Sequence, residues 1–213
     1  MEQITIIGSG SMARALAVRM LAGRHSVQIL GRNGEKTREL VESLGAGAQG
    51  GGEGAAIEGG IVFLAVPYEE GKNTVIFYGE ALAGRVVVDI SNAVDLATFD
   101  QLRIPAGTSA AEEIAKHASK DALVVKAFNT CFAGPLAAGQ VAGVPLDVFI
   151  AGDSQDAKTK VSAVVAASGL RPIDAGPLRR ARDLEAMMLL VMGLQVNPNH
   201  NNFNWDTSLK LLP

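Results

Sequence analysis

The sequence has a single cysteine, Cys131, among 213 residues. A disulfide within the chain is therefore impossible, and a metal cluster built on cysteine thiolates is excluded. It also lacks an excess of positive charge: 19 Lys and Arg stand against 22 Asp and Glu, for a formal net charge of -3 and a pI near 5.6. That balance leaves no electrostatic footprint for nucleic acid or for an anionic membrane surface. No uninterrupted apolar run reaches membrane-spanning length. The first residues, MEQITIIGSG, have neither the basic end nor the apolar stretch and small-residue cleavage site of a signal peptide. The expectation is a soluble cytoplasmic protein with no nucleic-acid or membrane partner.

What is present is apolar: 48% of residues are hydrophobic and the mean hydropathy is +0.21. The length suits one large domain, or one domain and an appendage, with a core that needs no staples. Strand-like runs fall at 4–8, 27–30, 61–66, 85–90, 123–128, 147–152 and 170–175, with helical patterns near 11–22, 34–44, 70–82, 109–118, 154–168 and 177–195. The runs up to 128 are continuously apolar rather than alternating, as in strands covered on both faces. The fold class is α/β: a Rossmann-type, doubly wound, mostly parallel sheet with a small mixed α/β C-terminal region. A boundary is expected in GQVAGVP, giving a dinucleotide-binding domain over 1–146 and a smaller region over 147–213. The glycine-rich segment GAGAQGGGEGAAIEGG, 45–60, has no Lys-Ser/Thr after its glycines, so it reads as a connector around a short edge strand and a weak helix turn rather than a phosphate loop. The last helical stretch carries AMMLLVMGL, apolar around nearly its whole circumference, and is expected to be buried.

The first strand runs into Gly8-Ser9-Gly10-Ser11-Met12-Ala13, the G-x-G-x-x-G spacing of a dinucleotide-binding turn with alanine in the last place. Gly8 permits the tight turn and Gly10 lets the backbone approach a pyrophosphate. The third position need only be small enough for the helix to pack on the strand, which Ala13 satisfies. Backbone N–H groups at the helix start, with the Ser9 and Ser11 hydroxyls, then face the phosphates. Sites for NAD end the second strand with a carboxylate for the ribose 2′-hydroxyl; here the strand ends Gly31-Arg32-Asn33, with Lys36 one turn on. Arg32 can fork onto a 2′-phosphate and Lys36 adds a point charge, so the cofactor is read as NADP. Ala65, Val66, Pro67 and Ser91, at the third and fourth strand ends, lie where the nicotinamide end would cross the strand tips.

These stretches resemble a known family, the NADPH-dependent deazaflavin (coenzyme F420) reductases and their bacterial relatives. The resemblance covers nearly the whole chain and rests on GSGSM, GRNGEK, FLAVPYEE, VVKAFNT and GLRPIDAGPL followed by a long helix. The same domain is similar to the cytosolic part of membrane metalloreductases. The resemblance implies that Ser9, Gly31, Arg32 and Lys36 hold phosphates, with Gly31 standing where a hydroxyl is frequent. It implies that Pro67 and Tyr68 form the turn beside the nicotinamide. It also implies that 129–133, with Asn129, Thr130, Cys131 and Phe132, walls the pocket of a second substrate, a deazaflavin or flavin, and that the protein is a homodimer whose 147–213 region completes that pocket and the interface.

Hydride transfer between two rings needs no nucleophile and no triad, only donor and acceptor held in near contact. No residue is accordingly assigned as acid, base, nucleophile or metal ligand. Hydroxyacid dehydrogenases and pyrroline-carboxylate reductases start similarly but add a substantial helical domain, for which the roughly 65 residues after position 147 leave little room. The competing reading is a non-catalytic NADPH-binding redox sensor. His25 and His117 read as surface residues, His200 as a cap, dimer contact or pocket border, Cys131 as a small buried hydrophobe, and Arg171 and Asp174 as organisers of a strand end.

Overall fold

The computed structural model describes residues 1–200 and 202–212. Its elements are β1 (Gln3–Ile7), α1 (Ser11–Ala22), β2 (Ser26–Gly31), α2 (Gly34–Leu44), β3 (Ala48–Gly52), β4 (Ile61–Leu64), α3 (Tyr68–Tyr78), β5 (Val86–Asp89), α4 (Ala110–His117), β6 (Leu123–Lys126), α5 (Ala133–Ala138), β7 (Gln140–Val141), β8 (Val144–Pro145), β9 (Asp147–Gly152), α6 (Gln155–Ala167), β10 (Arg171–Gly176) and α7 (Ala181–Val196). Eight strands form one sheet in the order β3-β2-β1-β4-β5-β6-β9-β10. The first six are parallel. β9 turns antiparallel against β6, and β10 runs parallel to β9. The expected doubly wound α/β sheet is thus present, with its order reversing between β1 and β4, where such folds open a crevice. The sheet continues across position 146, because β9 is hydrogen-bonded to β6.

Both faces are covered, as the continuous apolar runs imply. Ile4, Ile6, Phe63 and Val88 point into a core closed by α1, α5 and α6. Ile7, Val62, Leu64 and Val87 point into a second core under α3 and α4. The connector over 45–60 does hold an edge strand, β3, but no helix turn. Three of its five residues are glycines; a Cβ on Gly51 would lie 2.7 Å from Leu30 Cδ2, and one on Gly50 3.1 Å from Val41 Cγ2. Close approach of β2 and α2 thus favours glycine in a strand that propensity disfavours. The short α5 and the β7–β8 hairpin were not expected; Ala142 and Gly143 between the two strands both have positive φ, 52° and 77°, the signature of a two-residue hairpin turn.

The last helix departs from its expected burial. Leu184, Met188 and Val191 are buried, but Leu190 is 67% exposed and Val196 also faces outward. The helix begins at Ala181, after a 3-10 turn over Leu178–Arg180, and rests one stripe on the protein. That stripe includes a fully buried charge. Glu185 Oε1 lies 2.7 Å from Lys126 Nζ, which also reaches Asp89 Oδ2 at 2.7 Å and donates to the Ser91 carbonyl at 2.6 Å. The Ala110 N–H at the start of α4 donates to Glu185 Oε2 at 2.9 Å. Burial pushes the Glu185 carboxyl above its usual range. Burial would lower Lys126, but Asp89 and Glu185 prevail and hold it raised and charged. Removing the cation strands two carboxylates in the interior. Lys126→Met is therefore expected to lower the unfolding free energy by about 3–5 kcal/mol at neutral pH. Burial already raises the Glu185 carboxyl, and without the Lys126 charge the native state keeps its proton to higher pH than the unfolded chain does, so the deficit should shrink on acidification. Urea titrations across pH read both effects.

Candidate active site

Two cavities, each of about 560 Å³, open beside the switch point between β1 and β4. The first is lined by Gly8, Ser9, Gly10, Gly31, Arg32, Asn33 and Lys36 together with Ala65, Val66 and Pro67. The second is lined by Ser11, Met12, Ser91, Asn129, Cys131 and Phe132, and again by Gly10, Ala65, Val66 and Pro67. Every residue expected to touch the cofactor therefore borders one cavity or the other, and the two share a wall.

The local geometry explains the glycines. Gly8 has φ +124°, and a Cβ there would collide with the Ala65 carbonyl. Gly10 caps α1 in an extended conformation with no side-chain cap bond, and a Cβ on it would meet nothing within 4 Å. The first N–H groups of α1 lack intrahelical partners, and the bare Gly10 leaves them approachable. Ala13 is completely buried against the sheet, as the third motif position requires. A Cβ on Gly31 would collide with Thr37 Oγ1, so that side chain already occupies the space beside the strand end. Asn33 caps α2, its Oδ1 accepting from the Lys36 N–H at 3.0 Å. Arg32 is exposed and pairs with Glu70 at 2.7 Å. Uncapped helix N–H groups, a bare glycine and two cations in one crevice fit the phosphates of a dinucleotide.

Two residues expected at the site, Tyr68 beside the nicotinamide and as a substrate contact and Thr130 in the second-substrate wall, line neither cavity. Tyr68, the first residue of α3, is buried in the core under α3 and α4, with Lys72 Nζ 4.8 Å from its ring centroid. Pro67 caps the helix outside and sends the next side chain inward. Thr130 is buried and its hydroxyl has no partner. His25 is also buried, contrary to its surface reading, its Nδ1 accepting the Glu2 N–H at 3.0 Å. His200 is exposed and borders neither cavity. Cys131 is the buried hydrophobe expected, its thiol pushed up to about 12 by burial, which leaves it inert as a nucleophile. Asp174 binds Lys158 and the Gly176 N–H, organising the end of β10.

Sequence reasoning missed one side of each cavity. Glu70, Asn73, Thr74 and Phe77 face the first cavity from α3; their three- and four-residue spacing is the available signal. The second is closed by Met192 of α7 and by Trp205 and Asp206 of the C-terminal segment. Trp205 packs edge-on against Phe132 and Phe99, with centroids 5.2 and 5.8 Å away, and its backbone N–H donates to Gln195 Oε1 at 3.0 Å. The segment is moored by Asp147, whose buried carboxylate accepts from Arg171 Nε at 2.7 Å, Lys210 Nζ at 2.5 Å and the Leu211 N–H at 2.9 Å. Burial pushes the Asp147 carboxyl up, but these donors overcome it and hold it down to about 2.

A family model described as "NADP oxidoreductase coenzyme F420-dependent" matches residues 3–93. The F420-dependent NADP reductase of Methanocaldococcus jannaschii is 31% identical over 204 residues, covering 89% of this chain and 90% of that protein. Rat Metalloreductase STEAP3 is 34% identical over 190 residues; the match covers 89% of this chain but spans 37% of the rat protein's length. A solved structure from Arthrobacter sp. FB24 superposes with a TM-score of 0.78 at 26% identity, covering 90% of this chain and 91% of that one.

Asp147 supplies a pH-dependent test of how the second cavity is closed. A carboxyl depressed from 3.8 to about 2 contributes stability that is complete above its ordinary range and is lost as pH falls towards 2. The loss on Asp147→Asn should be about 2 kcal/mol near neutral pH and should dwindle in acid. Hydrogen exchange over residues 205–211 should quicken in the variant at neutral pH.

Proposed function

The chain belongs to the coenzyme F420-dependent NADP oxidoreductase family and is an NADP-dependent oxidoreductase, and from that premise we propose that it transfers a hydride between NADP(H) in the first cavity and a deazaflavin or flavin-like acceptor in the second. One observation carries this reading: the two cavities share Gly10, Ala65, Val66 and Pro67 as lining, so over these small residues two flat rings can lie face to face in direct contact. When bound, NADPH supplies the hydride.

The chain's own residues do the rest. The α1 N–H groups and the Ser9 and Ser11 hydroxyls take the pyrophosphate. Arg32 and Lys36 take the 2′-phosphate, with Arg32 leaving Glu70, an exposed pairing worth no more than about 1 kcal/mol. Phe132 and Trp205 keep water from the second cavity, which strengthens orientation there. The buried Lys126 fixes the backbone on both sides of Ser91, since Ser91 N–H donates to Asp89 and its carbonyl accepts from Lys126.

Charge-assisted bonds from Arg32 should contribute about 1.5–3 kcal/mol to NADPH and little to NADH. Arg32→Asp is expected to weaken NADPH at least tenfold while leaving NADH nearly unchanged. Parallel titrations of both cofactors, with NADPH oxidation by flavin and deazaflavin, read this. Equal losses for both cofactors would remove Arg32 from the 2′-phosphate, and NADPH binding with no ring acceptor reduced would favour the sensor reading.

A further inference from the structure

The second cavity differs from the first in its charge. In the first, Arg32 and Lys36 face the space, accompanied by Glu53 and Glu70. In the second, the charged side chain among the described lining residues is Asp206, a carboxylate, and the walls are Met12, Ile90, Cys131, Phe132, Met192 and Trp205. Its other polar side chains are Ser11, at the start of α1, and Ser91, Asn92 and Asn129, and Ser91 and Asn129 hold unpaired atoms. Ser91 is 7% exposed and Asn129 2%; Ser91 Oγ and Asn129 Oδ1 are buried without a partner.

The orientation of the Asn129 amide follows from its neighbours. The Asn129 backbone carbonyl can only accept, so the Asn92 group 2.8 Å from it must be the donating Nδ2. That leaves Asn92 Oδ1 as an acceptor, and the Asn129 group 3.0 Å from it must be Nδ2. The atom left over on Asn129 is therefore its oxygen, an acceptor in need of a donor. Ser91 has its N–H and carbonyl already engaged with Asp89 and Lys126, leaving its hydroxyl free. Buried unpaired acceptors are uncommon and costly, and a ligand N–H relieves the cost.

We infer that the second cavity takes an uncharged planar ring that presents an N–H donor to Asn129, and that it discriminates against acceptors carrying a phosphate. The inference rests on the reading of this cavity as the acceptor site. An imide edge, as in a flavin or deazaflavin ring, supplies the N–H. A phosphate on the ribityl chain finds no guanidinium or ammonium among the described lining residues, and so forgoes the roughly 10- to 100-fold gain that charge-assisted bonds give. It meets the Asp206 carboxylate instead, at a further cost of a few-fold that salt screens. The reaction balances without another reagent: the C4–H bond of NADPH breaks as hydride, a new bond to hydrogen forms at ring position 5, and N1 takes a proton from solvent.

Ring-matched acceptors test this. Riboflavin is compared with riboflavin 5′-phosphate, each with its 5-deaza analogue, and with 3-methylriboflavin, which lacks the imide N–H. Two readouts are used: kcat/KM for anaerobic NADPH oxidation, and equilibrium binding by quenching of flavin fluorescence in the presence of NADP+. Riboflavin is expected to exceed its phosphate by a few-fold in both, with the gap narrowing as salt is raised. 3-Methylriboflavin should bind about tenfold more weakly than riboflavin. Asp206→Lys should shift the preference ratio towards the phosphate by about tenfold. Equal or better use of the phosphate by the native protein, or full binding of the methylated ring, overturns the inference while leaving the acceptor site in place. Failure of every ring both to bind and to be reduced removes the acceptor site itself, and this inference with it.

Discussion

The Lys126 ammonium, sealed between Asp89, Glu185 and the Ser91 carbonyl, ties together elements that no apolar contact would hold in one register. It stands at the end of β6 and reaches the end of β5, the loop beyond β5, and the second turn of α7. The triad would carry an excess negative charge, and the first N–H groups of α4 donate to Glu185, where a helix N-terminus favours an anion. A methionine of similar size could fill the volume. It could not hold Ser91 from one side while Asp89 holds it from the other. The interaction therefore sets the floor of the second cavity as much as it stabilises the helix.

From that floor the division of labour follows. The groups proposed to take phosphates sit where β1, β2 and α1 begin or end, and the cations among them, Arg32 and Lys36, face one cavity. The other cavity is walled by Met12 and Ile90 and by apolar and aromatic groups from beyond β6, from α7 and from the C-terminal segment. The boundary is the pair of strand tips at Gly8–Gly10 and Ala65–Pro67, where Gly8 lies so close to Ala65 that a Cβ would collide. Small side chains at this boundary bring the two spaces into contact. The mooring of 205–211 on Asp147 completes the enclosure from β9, which explains why the sheet must extend past β6 for the second cavity to exist.

Much of this was legible in the chain. The continuous apolar runs gave the strands of a sheet covered on both faces, and the turn at Gly8–Ala13 with Arg32 and Lys36 marked one crevice before any geometry was known. What escaped was set by partners distant in sequence. The reversal of β9 and β10 is decided by pairing between Val125 and Gly152, which no local pattern encodes. Tyr68 carries the chemistry of a pocket residue, yet its place one residue inside the α3 cap turns it into the core. The one-sided burial of α7 was hidden because its exposed stripe is also apolar. Trp205 and Asp206 lie in a segment without periodicity, positioned by Gln195 and Asp147, and only packing brings them over Phe132.

The central claim is that hydride passes directly between two rings in contact where the cavities meet, over Gly10 and Ala65–Pro67. It is tested by following deuterium from NADPH labelled at C4, on each face in turn, into 5-deazariboflavin. Hydrogen delivered to C5 of that ring is carbon-bound and does not exchange with water. Direct transfer predicts that one of the two labelled cofactors places its deuterium quantitatively at C5 in ordinary water, while the other retains it in NADP+. Reduced deazaflavin that carries solvent hydrogen at C5 with both labels would contradict the account.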